Sequence, residues 1–240
     1  MHYVVKKGVY AIGGFELSTF YDNRVYLIDL GKYYVLVDSG SIFGFNDILR
    51  NMLELGFSPK RIKYIIISHA HIESSSGCYM FYHVSRTTQT IAHEPDASMI
   101  RKGDSKYTNA CEYDVVYPSY PVTISIPQDV KSYTVSKEPL IMIIHTPGHT
   151  KGSISVVYED NSHKLIFLSD ALGPLCKEWY SNIDDYLNSL EELCGYEADL
   201  YCTSTECLQR REFLELSEKL KEKAIKGELW VECCRGKKST

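Results

Sequence analysis

Ile62-Lys63-Tyr64-Ile65-Ile66-Ile67-Ser68-His69-Ala70-His71-Ile72-Glu73-Ser74 is the most informative run in this chain of 240 residues. An apolar segment of strand character ends on two histidines one residue apart. In extended backbone, side chains at i and i+2 point to the same side, so the two imidazoles address one point. Neutral imidazole is the commonest metal ligand among side chains. Glu73 adds a potential ligand or base, whereas Ser74 is a poor ligand. The motif has the form of one half of a two-metal site whose other half is missing.

Three further loops follow apolar runs in the same way. Thr146-Pro147-Gly148-His149-Thr150 comes after residues 140–145, Asp170 after 164–169, and Thr203-Ser204-Thr205-Glu206 after 199–202. Loops carried at strand ends of a rigid scaffold are the usual bearers of catalytic groups. Three histidines and one carboxylate suit Zn²⁺ or Fe²⁺.

Periodicity places these loops in an alternating scaffold. Strands are expected at 9–12, 25–30 and 33–38, the last two joined by a hairpin turn at Gly31-Lys32. Asn46 is expected to cap a helix that runs to Leu55, with Ile48, Leu49, Met52 and Leu53 on its apolar face. The strand 62–68 is continuously apolar, as expected of a strand buried on both faces. A short helix at 77–84, a strand at 90–93 and a helix at 94–102 follow. Strands come next at 140–145, 153–159, 164–169 and 199–203. A helix capped by Ser181 or Asn182 presents Ile183, Tyr186, Leu187, Leu190 and Leu193. The last helix carries Phe213, Leu216, Leu220 and Ala224. Grouped strands separated by helices point to an α/β fold, an αββα sandwich of two mixed β-sheets flanked by helices. No linker divides it, so residues 1–240 read as one domain.

Composition narrows the function classes. Apolar residues make up 44% and charged residues 24%, which disfavours disorder. A net charge of −5 and a pI of about 5.9 give no basic surface for nucleic acid. The one basic run, Arg235-Gly236-Lys237-Lys238, reads as a solvated tail. No apolar run reaches the ~20 residues that span a bilayer, and the N-terminus has no signal-peptide core. The expected setting is therefore cytoplasmic, with most of the eight cysteines reduced and buried or incidental; a hyperthermophilic source would allow disulfides. His93 and His145 read as packing residues, and His2, His83 and His163 as surface residues.

The ordered set of motifs resembles the metallo-β-lactamase superfamily of metal-dependent hydrolases. The family pattern is H-x-H-x-D-H, then a lone His, a bridging Asp and a last His. The matching segments are Ser68 to Gly77, Thr146 to Ser153 and Phe167 to Ala171. Asn23 to Ile28, Leu36 to Gly40 and Ala92 to Ala97 also fit. The resemblance implies a first metal site formed by His69, His71 and His149, with Asp170 as the carboxylate that bridges to a second metal in complete members. Glu73 stands where the pattern has Asp, Ser74 replaces the second-site His, and Ser204 or Thr205 falls where the last His belongs. One metal is therefore expected: Zn²⁺ first, Fe²⁺ or Mn²⁺ as alternatives. Asp170 would ligate or orient a water and Glu73 would be a candidate general base. Asp38 would be a partner standing behind a ligating histidine. The implied activity is hydrolysis of a small ester, thioester, lactone or similar small-molecule substrate through a metal-activated water. Two alternatives stand beside it: a mononuclear iron persulfide dioxygenase-like enzyme, using His69, His149 and Asp170 as a facial triad, and a degenerate member that binds a ligand or partner without turnover. No nucleic-acid or membrane partner is expected; a homodimer is the default assembly.

Overall fold

Alternation along the strands sorts the apolar side chains into three layers. The computed structural model describes residues 2–234, and the basic run Arg235-Gly236-Lys237-Lys238 lies outside them. The first sheet contains β1 (Tyr3–Lys6), β2 (Val9–Gly13), β3 (Val25–Asp29), β4 (Tyr34–Val37), β5 (Ile62–Ile66), β6 (Gln89–His93) and β7 (Ile124–Ile126), in that spatial order. It is antiparallel from β1 to β4 and parallel from β4 to β7. The second sheet has the order β13-β12-β11-β10-β9-β8. Its strands are β8 (Ser132–Lys137), β9 (Leu140–His145), β10 (Ile154–Glu159), β11 (Lys164–Ser169), β12 (Leu200–Thr203) and β13 (Cys207–Gln209).

Tyr26, Ile28, Val35 and Val37 turn inward and meet Ile141, Ile143, Val156 and Phe167 of the second sheet. Their neighbours Leu27 and Leu36 turn outward under α1 (Phe45–Glu54), α3 (Gly77–Val84) and α4 (Glu94–Lys102), where Ile48, Met52, Phe81 and Ile100 cover them. On the far side, Ile144, Val157, Ile166 and Tyr201 lie beneath Leu193 of α5 (Ile183–Gly195) and Phe213 of α6 (Arg210–Ile225). This period of two places the expected αββα sandwich in the structure.

The structure corrects the sequence reading at four places. Helix α1 begins at Phe45 with Gly44, not Asn46, at the cap position. Gly44 is needed there because a Cβ would lie 1.7 Å from Asp22 Oδ2. Strands β1, β7, β8 and β13 carry little apolar alternation. All four are edge strands, and β8 leaves its first three residues exposed. Strand β5 exposes Lys63, so it is not buried along both faces throughout. The cysteines expected as unpaired thiols are drawn together: Cys111 with Cys234, Cys176 with Cys233, and Cys202 with Cys207, while Cys78 and Cys194 stand free. The first two pairs join positions 123 and 57 residues apart, which no spacing rule could reveal. Cys202 and Cys207 face each other across the β12–β13 hairpin.

Candidate metal centre

Three strand ends deliver the chemistry to one spot. After β5 the chain turns through Ser68 to His71, and His71 occupies the cap position of the short helix α2 (Ile72–Ser75). The loop after β9 brings His149, and β11 ends beside Asp170. His69, His71, His149 and Asp170 each offer a ligand atom, and these atoms all lie within 4.8 Å of one another. His69 Nε2 is 3.3 Å and His149 Nε2 4.0 Å from the same Asp170 oxygen, Oδ2. His71 Nδ1 lies 3.1 Å from His149 Nε2. The three histidines are buried and Asp170 is half-buried.

The ring orientations follow from what stands behind each ring. His149 Nδ1 donates to the Pro174 carbonyl at 2.6 Å, which leaves the Nε2 lone pair facing Asp170. His69 Nδ1 is 2.9 Å from Ser68 Oγ. Ser68 Oγ in turn donates to Asp38 Oδ2 at 2.9 Å, so Ser68 accepts from His69 and frees its Nε2. Asp38 is buried and also accepts from Ser68 N at 2.8 Å and Ser169 Oγ at 2.9 Å. Both Asp38 and Ser169 hold left-handed backbone, with φ of 60° and 47°. Non-glycine residues in that region are uncommon, and such outliers cluster at functional sites. His71 turns Nδ1 inward, and its buried Nε2 has no hydrogen-bond partner. Trp179 lies over His71 at 4.3 Å and over His149 at 5.1 Å between ring centroids.

Electrostatics favour the metal-binding forms of His71, His149 and Asp170. Burial holds His71 well below the ordinary histidine range, and burial together with the His69 charge lowers His149 to about 4. Burial presses His69 down as well, but its bond to Asp170 and the charges of Asp170 and Asp38 outweigh this and raise it. Burial would raise Asp170; His69 and His149 more than offset it and hold the carboxylate ionised. Neutral imidazoles and an ionised carboxylate are the forms that a divalent ion requires. Three nitrogens and one oxygen, closed in by Trp179, therefore fit a first-row transition ion.

The structure places the other candidates differently. Glu73 stands outside the converging group: its Oε1 accepts from Asn109 Nδ2 at 2.7 Å and Tyr113 OH at 2.9 Å, and burial raises its carboxyl. Ser74 Oγ accepts from Asn23 Nδ2 at 2.9 Å, and the same nitrogen donates to Asp170 Oδ2 at 2.7 Å. Asn23 thus links the two positions through which a second ion would be addressed. His93 and His145 stack on each other, 3.8 Å between centroids, outside the converging group.

Asp96 is the residue that sequence reasoning missed. It is buried on α4 and accepts from Ala70 N at 2.7 Å, Gly152 N at 2.7 Å, Thr150 Oγ1 at 2.9 Å and Tyr107 OH at 2.6 Å. One carboxylate thereby registers the His69–His71 loop against the His149 loop. Its signal was an acidic residue four positions before Ile100, on the helix face that packs into the core. Gly148 serves the same register: with φ of +138°, it lets the loop approach α5, where a Cβ would sit 2.4 Å from Tyr186 Cα.

The profile of the metallo-beta-lactamase superfamily matches residues 19–205. The chain belongs to the metallo-beta-lactamase superfamily. Among curated relatives, a probable metallo-hydrolase of Methanocaldococcus jannaschii is 29% identical over 59% of this chain and 65% of its own length. The acyl-coenzyme A thioesterase MBLAC2 of Homo sapiens is 25% identical over 78% of this chain and 67% of its own length. The matches to these relatives thus span about two-thirds of their lengths. Among solved structures, the subclass B3 metallo-beta-lactamase BJP-1 of Bradyrhizobium japonicum superposes with a TM-score of 0.77 at 19% identity, covering 95% of this chain and 93% of that one. GOB-18 of Elizabethkingia meningoseptica gives 0.75 at 17%, covering 94% and 91%. These likenesses establish the superfamily fold. No helix among the described residues is long and apolar enough to cross a membrane.

Proposed function

We propose that this superfamily member is a mononuclear metal-dependent hydrolase of a small ester, thioester or lactone. The observation that carries the reading is the convergence of His69, His71, His149 and Asp170. Beside it, Asn23 bonds both Asp170 and Ser74, where a second ion would need a ligand instead. The similarity to an acyl-coenzyme A thioesterase supports thioesters within the substrate class.

A bound Zn²⁺ supplies an acidified water and polarises an acyl carbonyl. The chain supplies the rest. Ser68 and the Pro174 carbonyl fix which nitrogen of His69 and His149 faces inward. Asp170 is held ionised, so its carboxylate would ligate the ion or orient the water there, rather than store a proton. Asn23 holds its Oδ2 in place. Trp179 shields two of the rings from bulk water, which strengthens the local electrostatics. Glu73 fastens the segment that carries Asn109 and Tyr113. All three imidazoles have inward nitrogens; a dioxygenase triad of His69, His149 and Asp170 leaves His71 without a role.

Metal analysis of the purified protein, with turnover on a thioester and lactone panel, tests the reading. We expect about one equivalent at this centre, with zinc-supported hydrolysis, and loss of both in His69→Ala. Occupancy of this centre below about 0.2 equivalents that Zn²⁺, Fe²⁺ or Mn²⁺ cannot restore would overturn it. Iron with oxygen uptake would replace it by the dioxygenase reading.

A further inference from the structure

Next to Asn23 in the chain stands a buried cation without a counter-charge. Arg24 precedes β3, and its backbone N donates to the Ser204 carbonyl at 2.8 Å. Its side chain runs beside Gly14, where a Cβ would sit 3.2 Å from Arg24 Nε. The residue is only 7% exposed. Nη2 donates to the Thr205 carbonyl, and the guanidinium carbon lies 5.2 Å from the centre of the Tyr3 ring. Nε and Nη1 are buried and have no hydrogen-bond partner among the described residues. Taking a guanidinium out of water without a carboxylate or a full set of acceptors is costly, so buried charges are normally paired.

The same side chain lines a pocket of about 590 Å³ between β1 of the first sheet and β13 of the second, with Tyr3, Val4, Phe15 and Leu200 as its apolar wall. That volume lies in the range of small-molecule sites. Val4 and Phe15 are large apolar side chains left exposed. One buried cation in an apolar cleft specifies an anion with an apolar body. We propose that this pocket is a second ligand site and takes an amphipathic monocarboxylate of the fatty-acid kind, its carboxylate on Arg24 and its hydrocarbon along Val4 and Phe15. Nη2 has a second proton besides the one given to Thr205. Nε and Nη1 come within reach when the Tyr3 ring, part-exposed on the edge strand β1, turns outward. Glu16 and Glu206 line the pocket too, but neither bonds Nε or Nη1. Both are exposed, and their repulsion selects a single negative charge over a dianion such as phosphate.

The site adjoins the histidine centre in the chain and shares none of its ligands. Asn23 reaches Asp170 and Ser74, whereas Arg24 reaches Thr205. Binding is a charge-assisted hydrogen bond plus apolar burial, with no covalent or redox step. The inference does not depend on the hydrolase reading, because it uses a separate set of side chains. On that reading, the acid released from an apolar ester or thioester has the chemistry that this pocket accepts.

Isothermal titration of the full chain tests this, with octanoate as the probe and acetate and octanol as its charge-only and tail-only controls. We expect octanoate to bind the wild type and His69→Ala alike, at least about tenfold more tightly than either control. Arg24→Met should weaken octanoate binding by at least about tenfold. Its urea midpoint should not fall, because an apolar side chain in place of an unpaired buried charge is neutral or stabilising. The double variant Glu16→Gln/Glu206→Gln should tighten octanoate binding by at least about twofold at low ionic strength, and it still decides if Arg24→Met fails to fold. Octanoate binding lost in His69→Ala would place the carboxylate on the metal, overturning the second site while leaving the hydrolase reading intact. Octanol binding as tightly as octanoate, or octanoate affinity unchanged in Arg24→Met or in the double glutamine variant, would also overturn it.

Discussion

Ser68 and Ser169 offer a matched pair for testing how the centre is tuned. Each donates its hydroxyl to Asp38 Oδ2 at 2.9 Å. Only Ser68 also contacts His69, through Nδ1 at 2.9 Å. Removing either hydroxyl costs Asp38 one bond in a buried setting, about 1–3 kcal/mol of apo-protein stability. The metal should feel only one of the losses. Ser68→Ala leaves His69 free to change tautomer or rotate, and loss of such a supporting partner typically weakens metal binding by about 10–100-fold, or roughly 1.4–2.7 kcal/mol. Ser169→Ala should lower unfolding stability by a similar amount while leaving zinc affinity within about twofold. Competition titration with a chelator gives affinity, and urea unfolding of the apo forms gives stability. Burial raises the Asp38 carboxyl to about 6, so the assays belong near pH 8, where it is ionised. Equal losses of affinity in the two variants would refute the relay from Asp38 through Ser68 to His69. So would a Ser68→Ala protein that binds zinc like the wild type.

Glu73→Gln separates positioning from proton transfer. The amide oxygen can still accept from Asn109 and Tyr113, so metal content should be unchanged and kcat should stay within about threefold; a loss beyond about 100-fold would assign Glu73 to general-base chemistry instead. His93 makes an acid-sensitive point away from the metal. Burial, with the neighbouring His145 charge, lowers it to about 4, below its ordinary 6.5. As pH falls from 6.5 to 4 the unfolded chain takes up a proton that the folded chain refuses, so stability is lost across that window, by about 2 kcal/mol after discounting for solvent screening. Unfolding series at several pH values should show a shallower acid slope in His93→Leu, and an unchanged slope would remove His93 as the cause.

The legible parts of this fold were those with a strong local period. Strands β3, β4, β9, β10 and β11 alternate or run apolar, and helices α5 and α6 carry long apolar stripes, so their existence could be read directly. The edge strand β8 could not, because an edge with one solvated face needs no apolar alternation. At the centre, His69, His71, His149 and Asp170 were readable because each ends an apolar strand. Asp96 was not, since its partners are backbone N–H groups of loops 26 and 56 residues away. The side-chain direction of Glu73 was likewise hidden, because Asn109 and Tyr113 reach it from an irregular segment 36 and 40 residues downstream. Sequence spacing reports well which side chains converge and supporting contacts poorly, because supporting contacts are made by whichever backbone the fold happens to bring near.

The double donation by Asn23 has a consequence for how activity should depend on metal supply. An amide group is covalently part of the chain, so it cannot be diluted out, exchanged or chelated. Where a two-ion centre must be loaded twice, and its activity rises sigmoidally with free metal if both ions are required, a centre whose second position is linked by Asn23 needs one loading event. Activity should then follow free metal along a simple hyperbola. At metal levels well below the dissociation constant, a single requirement costs activity in proportion to concentration, whereas a double requirement costs it as the square. On the one-metal reading proposed above, the side chain of Asn23 would bear on where such a protein can work, by making it less demanding of scarce metal.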